Sequence, residues 1–371
     1  MLVQVVYKSA IVLFIVISLF TINVPTRAVS DTSSLINGVD LSWLPDVEKA
    51  GGKFYSRSGK SQPPLRILQH QGLGIGRVRV WVNKSKGHAS LKRAIELGKR
   101  LQSKGMRIMV DFHLSDNWAD PSNQRIPTTW PQSDAITLKV ELVNYLKTCI
   151  EQFQSKGVTL DIIQIGNEIG NGFLWPAARI DSNQAEQWLS FVTLYNAAEI
   201  AVREQSPNSK ILLHLHNGGD AEWIRWWWSL AMQYGIKEPD YVGLSYYPNW
   251  HGDLSQLQKS LDLLKSENQF VWIVETAYPW TSEFFGNDVI NPFQARLSGY
   301  GLSPKGQAKF ISQLNSMMMR LDGHGVGIIW WEGLAIDVGK HGKKFKPGMQ
   351  NSTLFDNDGL VLPALKRLGE G

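Results

Sequence analysis

Eight short runs rich in β-branched and aromatic residues, separated by longer segments with helical apolar spacing, leave this chain few ways to fold. The runs are Ile36–Leu41, Gly76–Trp81, Arg107–His113, Asp161–Glu168, Lys210–Asn217, Tyr241–Tyr247, Phe270–Ala277 and Gly325–Glu332. Ser90–Lys104 shows the helical pattern well: Leu91, Ala94, Ile95 and Leu101 share a face, and Gly105 stops it. Asp134–Lys156, Asn183–Gln205, Ala221–Tyr234, Leu254–Asn268 and Pro304–Leu321 behave likewise; Pro64–Gln71 and Pro363–Leu368 are short helices. Strands that alternate with helices pair in parallel, because each needs a crossover to reach the next. Eight such units within 371 residues predict an α/β fold, a single (β/α)8 TIM barrel with elongated βα loops. An open doubly wound sheet would carry a Gly-rich turn after an early strand. Gly72-Leu-Gly-Ile-Gly76 precedes a strand instead.

Residues 1–28 stand apart from this pattern. Lys8 precedes the apolar run Ala10–Phe20, which is short for a bilayer span, and Thr26-Arg-Ala28 has the small-x-small form of a cleavage site. The expected organisation is a signal peptide over 1–28, a catalytic barrel over 29–371, and a secreted protein with no stable membrane anchor after cleavage. The chain has one cysteine, Cys149, so no intrachain disulfide and no Cys-based zinc site can form. The net charge of +5 comes without a basic block, which sets nucleic acid aside as a partner. Fifteen tryptophans exceed what packing asks for and point to a surface that grips flat apolar faces such as those of sugars. The triplets at Asn83 and Asn351 match the glycosylation sequon.

A barrel does its chemistry at the C-terminal ends of its strands. The fourth run ends Gln164-Ile-Gly-Asn-Glu168 and the seventh carries Trp272-Ile-Val-Glu275 near its end; each is largely uncharged until that glutamate. Two carboxylates at one barrel mouth fit glycoside hydrolysis, where one donates a proton to the leaving oxygen and the other attacks the anomeric carbon or activates water. Their separation, which decides between retention and inversion, cannot be read from sequence. Asn167 is placed to bond a sugar hydroxyl. An arginine from Arg77-Val-Arg79 is placed to keep the nucleophile ionised. Strand alternation allows only one of Trp330 and Trp331 to face inward.

The strings Asn37-Gly-Val-Asp40, Arg77-Val-Arg-Val-Trp81, Asp111-Phe-His-Leu-Ser-Asp116-Asn-Trp-Ala-Asp120, Gly166-Asn-Glu-Ile-Gly-Asn-Gly172, Gly243-Leu-Ser-Tyr-Tyr-Pro248-Asn-Trp-His-Gly252 and Val274-Glu-Thr-Ala-Tyr-Pro-Trp280 resemble glycoside hydrolase family 53. That family contains arabinogalactan endo-β-1,4-galactanases. The resemblance runs from about Asn37 to the C-terminus. It implies a retaining double displacement on β-1,4-galactan or the type I arabinogalactan side chains of pectin. It gives Glu168 the acid/base role and Glu275 the nucleophile role, with Asn167 and Arg79 in support. It implies that Tyr246 contacts the nucleophile, and that His113, Asp116, Trp250 and Trp331 meet substrate. No cofactor or metal is expected: bacterial members carry an acidic calcium loop after strand seven, and Ser282–Asn291 is poor in acids. The basic stretch Ala335–Pro347 reads as a solvated loop. Competing readings are a related β-glycanase acting on mannan, cellulose or xylan, and an inactive barrel that only binds polysaccharide. The second needs neither glutamate.

Other signals are demoted. His214 and His216 share a face of the fifth run, but no third metal ligand accompanies them. Trp226-Trp-Trp228 lies on a helix, as packing or an oligomer contact; Cys149 and Met317–Met319 read as helix core.

Overall fold

The structure, a computed structural model, describes residues 34–338 and 347–371. The expected signal peptide and most of the basic stretch lie outside the described residues. Among them, no helix is long and apolar enough to cross a membrane.

Eight parallel strands close into a barrel: β1 (Gly38–Asp40), β2 (Ile75–Val80), β3 (Arg107–Phe112), β4 (Ile162–Ile165), β5 (Lys210–Leu215), β6 (Tyr241–Ser245), β7 (Val271–Thr276) and β8 (Gly325–Trp330). Each pairs with its sequence neighbours, and Gly38 opposite Ile329 closes the ring. The predicted helices form where the spacing places them. Ser90, Asp134, Asp220, Asp253 and Ser303 cap helix starts by accepting backbone N–H bonds, which satisfies donors the first turn leaves open. Short helices at Leu44–Lys49 and Pro292–Ala295, and a hairpin pairing Gly172–Phe173 with Ala178–Arg179, lie in the loops and were not foreseen.

Strand alternation divides the core in two. Outward residues such as Val78, Val110, Ile163, Leu213, Leu244 and Ile273 join the helices in the larger cluster. Inward residues Ile75, Met109, Ile162, Leu212, Trp272, Val274 and Ile329 form a separate apolar plug inside the barrel. Two residues further along most strands the inward positions turn polar: Arg77, Asp111, Gln164 and His214 stand on the plug and are buried. A third inward layer above them forms the mouth.

Every strand stops before the end of its predicted run, and two of these early stops bear on the site. β4 ends at Ile165, and Glu168 sits in the following turn with a left-handed backbone (φ 52°). β8 ends at Trp330, so Trp331 and Glu332 belong to the loop that follows it. β7 departs differently. Leu244 pairs with Ile273 but Ser245 pairs with Glu275; on the other side, Ile328 pairs with Ile273 but Trp330 with Thr276. β7 thus carries one extra residue against both neighbours, a β-bulge that reverses its alternation. Trp272 and Val274 face inward, and without the bulge Glu275 would face the helices.

Candidate active site

The mouth of the barrel is a cleft of about 610 Å³ lined by Glu168 and Glu275 among others. Glu275 reaches it through the bulge and is 7% exposed. Tyr247 donates its hydroxyl to Oε1 of Glu275 at 2.8 Å, and Arg77 donates Nη1–H to Oε2 at 3.3 Å. Burial pushes the Glu275 pKa up, against the opposing pull of Arg77 and Tyr247. Among the described residues, no cation is in contact with Glu168. Its Oε1 accepts a bond from the Ser245 hydroxyl at 2.7 Å. Burial, then the charge of Glu275, push its pKa well above the usual carboxylate range. The two titrate as a pair. When they share one proton it sits on Glu168, because the guanidinium faces Glu275.

Arg77 organises this asymmetry. It forms ion pairs with Asp111 at 2.8 Å, Asp40 at 3.2 Å and Glu275 at 3.3 Å, and bonds Gln164 Oε1 and Asn167 Oδ1. Burial disfavours its cation, but Asp111, Glu275 and Asp40 outweigh that and raise its pKa above the ordinary value. A buried charge is tolerated because its donors are matched by oxygens. Asn167 is fixed by Arg77 on one side of its amide and donates Nδ2–H to the Ala119 carbonyl on the other.

The turn carrying Glu168 is held from outside the barrel. Trp227 donates its indole N–H to the Gly170 carbonyl at 2.9 Å, so this member of the Trp226–Trp228 run anchors the turn. A Cβ on Gly170 would lie 2.4 Å from Trp223 and 2.7 Å from His216 Nδ1, which demands glycine there. Holding a non-glycine residue at positive φ costs on the order of 1 kcal/mol, and packing of this kind overcomes it.

Several expected site residues fall where the sequence placed them. Trp331 lines the cleft while Trp330 is buried outside the barrel, as alternation from Ile329 requires. Trp250 lines the cleft and is 46% exposed. Others are corrected. Tyr246 does not contact Glu275; it is buried on the helix side and donates to the Gly252 carbonyl, and Tyr247 takes the inward position two residues past Ser245. Arg79 lines the cleft but does not reach Glu275. It donates Nη2–H to Glu332 at 2.8 Å and lies 4.2 Å over the Trp118 ring, while Arg77, one inward layer deeper, holds Glu275. Asp116 is absent from the cleft lining and accepts bonds from Asn83 and Thr128 in the loops. His113 faces the cleft with both nitrogens committed: Nε2 to Asp111 at 3.0 Å, and Nδ1 accepting from Trp81 and the Ala119 N–H. Burial lowers its pKa, so it is a neutral wall residue.

Trp43, Ser245 and Glu332, not expected there from the sequence, also stand at or beside the cleft. Burial, then Asp40, push Glu332 up to about 8 against the opposing effect of Arg79. Of the rings placed at strand ends, Trp118 also lines the cleft; Trp81 is buried behind it, and Trp175 and Trp280 bond backbone carbonyls elsewhere. Cys149 is buried and its thiol is pushed up to about 12, which makes it inert. The sequon residue Asn351 is fully buried and donates to the Ile290 carbonyl, whereas Asn83 is exposed.

Known proteins share the sequence and the fold of this chain. The profile described as "Glycosyl hydrolase family 53" matches residues 36–368. A protein of Thermothelomyces thermophilus named arabinogalactan endo-beta-1,4-galactanase is 33% identical over 339 residues, covering 88% of this chain and 97% of the relative. The family 53 catalytic domain of Ignisphaera aggregans superposes with a TM-score of 0.82 at 31% identity, covering 91% of this chain and 96% of that one. A solved fungal beta-1,4-galactanase gives 0.78 at 32% identity, covering 90% and 99%. Xylanase 10B from Thermotoga maritima, at 14% identity and a TM-score of 0.57, with 93% and 96% covered, shares the fold. The chain belongs to glycosyl hydrolase family 53.

Proposed function

We propose that the protein is a secreted arabinogalactan endo-β-1,4-galactanase that cleaves by retaining double displacement. The observation that carries this reading is the electrostatic asymmetry of the two glutamates: Glu275 is hydrogen-bonded to Arg77 and Tyr247, while Glu168 accepts its side-chain hydrogen bond, among the described residues, from the neutral Ser245 hydroxyl. Glu275, ionised, attacks the anomeric carbon while Glu168 gives its proton to the departing glycosidic oxygen. The glycosyl ester that forms no longer carries the Glu275 charge, so Glu168 loses the repulsion that kept it protonated and accepts a proton from the incoming water. Trp118, Trp250 and Trp331 offer rings on which sugar faces stack. The galactan assignment follows the Thermothelomyces relative, whose length this chain nearly spans. Secretion follows from the leader-like residues 1–28.

Linear β-1,4-galactan digested over time is the direct test. The expected result is early appearance of mid-length oligosaccharides with β-anomeric reducing ends, visible by NMR before mutarotation. Mannan, cellulose and xylan should release little. Negligible release from galactan beside strong release from another polymer overturns the substrate assignment, and an α-anomer appearing first overturns retention.

Tyr247→Phe tests the role given to Glu275. Removing a hydrogen bond to an ionised group costs roughly 1.5–3 kcal/mol, so kcat should fall about 10-fold or more. The sign follows from which form loses the donor. The ionised carboxylate is destabilised, its pKa rises, and the acid limb of the kcat/KM profile moves to higher pH. Tyr246→Phe, whose hydroxyl donates to the Gly252 carbonyl, should leave that limb in place. Equal effects from the two variants would remove Tyr247 from the mechanism.

A further inference from the structure

Behind Glu168 lie two fully buried side chains that the displacement does not use, Ser245 and His214. Ser245 Oγ is 2.7 Å from Glu168 Oε1, and His214 Nε2 is 2.8 Å from Ser245 Oγ. The other ring nitrogen settles the proton positions. Nδ1 receives the backbone N–H of Glu168 at 3.3 Å and faces the Gln164 amide Nε2 at 3.2 Å. The acceptor near it, Asn167 Oδ1 at 3.1 Å, already takes a bond from Arg77 at 2.8 Å. The Gln164 amide nitrogen, whose two hydrogens go to Asp111 and the Gly166 carbonyl, cannot accept from Nδ1; with the Glu168 N–H directed at it, Nδ1 is unprotonated and the neutral ring carries its proton on Nε2. That proton points at the Ser245 oxygen, so the Ser245 hydroxyl proton is left to point at Glu168 Oε1.

We propose that His214 and Ser245 are positioning residues that keep Oε1 of Glu168 an acceptor, and so confine the catalytic proton to Oε2. The proposal rests on the acid/base role given to Glu168 above. A carboxyl group can carry its proton on either oxygen, and only one of the two faces the bond to be broken. With Oε1 held by a donor that is itself held by His214, the acid has one productive form. The backbone N–H bond from Glu168 to His214 Nδ1 ties the same ring to the strained turn. One imidazole therefore fixes both the main chain and the side chain of the acid. Ser245 stands two residues before Tyr247 on the same inward face, so adjacent inward positions at the end of β6 hold the two glutamates through different oxygens.

The other charged and titratable groups facing Glu168 are Glu275, Tyr247, Arg77 and Asp120, with His216 and His251 on the cleft wall. Ser245→Ala changes none of them. The experiment measures kcat/KM for each variant on two substrates: linear galactan, whose leaving group needs an acid, and a dinitrophenyl β-galactobioside, whose leaving group does not. Their ratio within one variant is independent of the fraction folded. Ser245→Ala is expected to lose about 30-fold on galactan, since it removes a hydrogen bond to a charged form, and to stay within roughly threefold on the activated substrate. The alkaline limb of its galactan profile should move to higher pH, because the lost donor favours the ionised carboxylate. Ser245→Thr, which keeps the hydroxyl, should restore the ratio. His214→Gln, whose amide can still donate to Ser245, should retain more galactan activity than His214→Asn. Glu168→Ala is the control. If it discriminates between the substrates and Ser245→Ala does not, the relay is wrong and the acid/base assignment stands. If Glu168→Ala loses equally on both, the assignment itself has failed and the relay falls with it.

Discussion

Glu275→Ala is expected to abolish turnover on β-1,4-galactan, with a loss on the order of 10^5-fold, as when other hydrolases lose their nucleophile. The fold should survive, because Arg77 keeps Asp40 and Asp111 as partners. The space left by the carboxylate opens beneath the anomeric carbon and beside the Arg77 cation, which favours a small anion there. Added azide with an activated galactobioside should restore turnover and give an α-galactosyl azide, since azide enters from the face the glutamate vacated. Glu168→Ala in azide should give the β-galactosyl azide, because there the glycosyl ester still forms and azide replaces water. Identical azide anomers from both variants would contradict the division of roles. Near-normal activity in either would remove that glutamate from the site.

Arg77→Met is expected to destabilise the barrel as well as inactivate it. The substitution keeps an unbranched chain of similar reach but takes the closest cation from Asp40 and Asp111, both fully buried, leaving Asp111 with His113 and Gln164 and Asp40 with Ser42 and Arg79, and removes a donor from Glu275, Gln164 and Asn167. Breaking a buried ion pair by deleting one partner costs about 4 kcal/mol. For a domain of this size that corresponds to a melting temperature lower by roughly 10 °C. The pH dependence has a definite sign. The Asp111 pKa in the folded protein is lowered: burial opposes its charge, but Arg77 and then His113 outweigh it. A depressed carboxylate contributes stability above its unfolded pKa and loses it as pH falls through the folded value. The wild-type advantage over Arg77→Met should therefore be largest near neutral pH and shrink on acidification, as protonation discharges the two aspartates. A melting temperature within about 2 °C of wild type at neutral pH would show that the charge cluster does not depend on Arg77.

The sites of these two changes differ in how they are visible from sequence. Glu275 ends an apolar run in a predicted strand, and an acid in that place stands out. Arg77 and Arg79 are two apart on one strand, so both face inward, and the sequence does not say which is level with Glu275. The depth of the mouth decides it, and that depth follows from how the eight strands stagger. Tyr246 and Tyr247 pose the opposite problem. Adjacent residues face opposite ways, and the phase of β6 is set by its pairing with β5 and β7. The family resemblance sends Asp116 to the substrate, but its loop turns it toward Asn83 and Thr128. Loop residues have no alternation from which to predict a direction.

The sequence by itself determined the number and order of the strands, the helices between them, and the two glutamates at the ends of the fourth and seventh runs. These are consequences of local periodicity and chain order. Only the tertiary structure decided that Glu275 faces the cleft at all. Counting by twos from Trp272 and Val274 aims it at the helices, and the extra residue of β7 against both its neighbours turns it inward. A bulge is a mismatch between strands far apart in the chain, so no single strand's sequence records it. The pairing of Arg77 with Glu275 and of Ser245 with Glu168 has the same origin. Each joins side chains 198 and 77 residues apart, and the barrel's closure brings them within hydrogen-bonding distance.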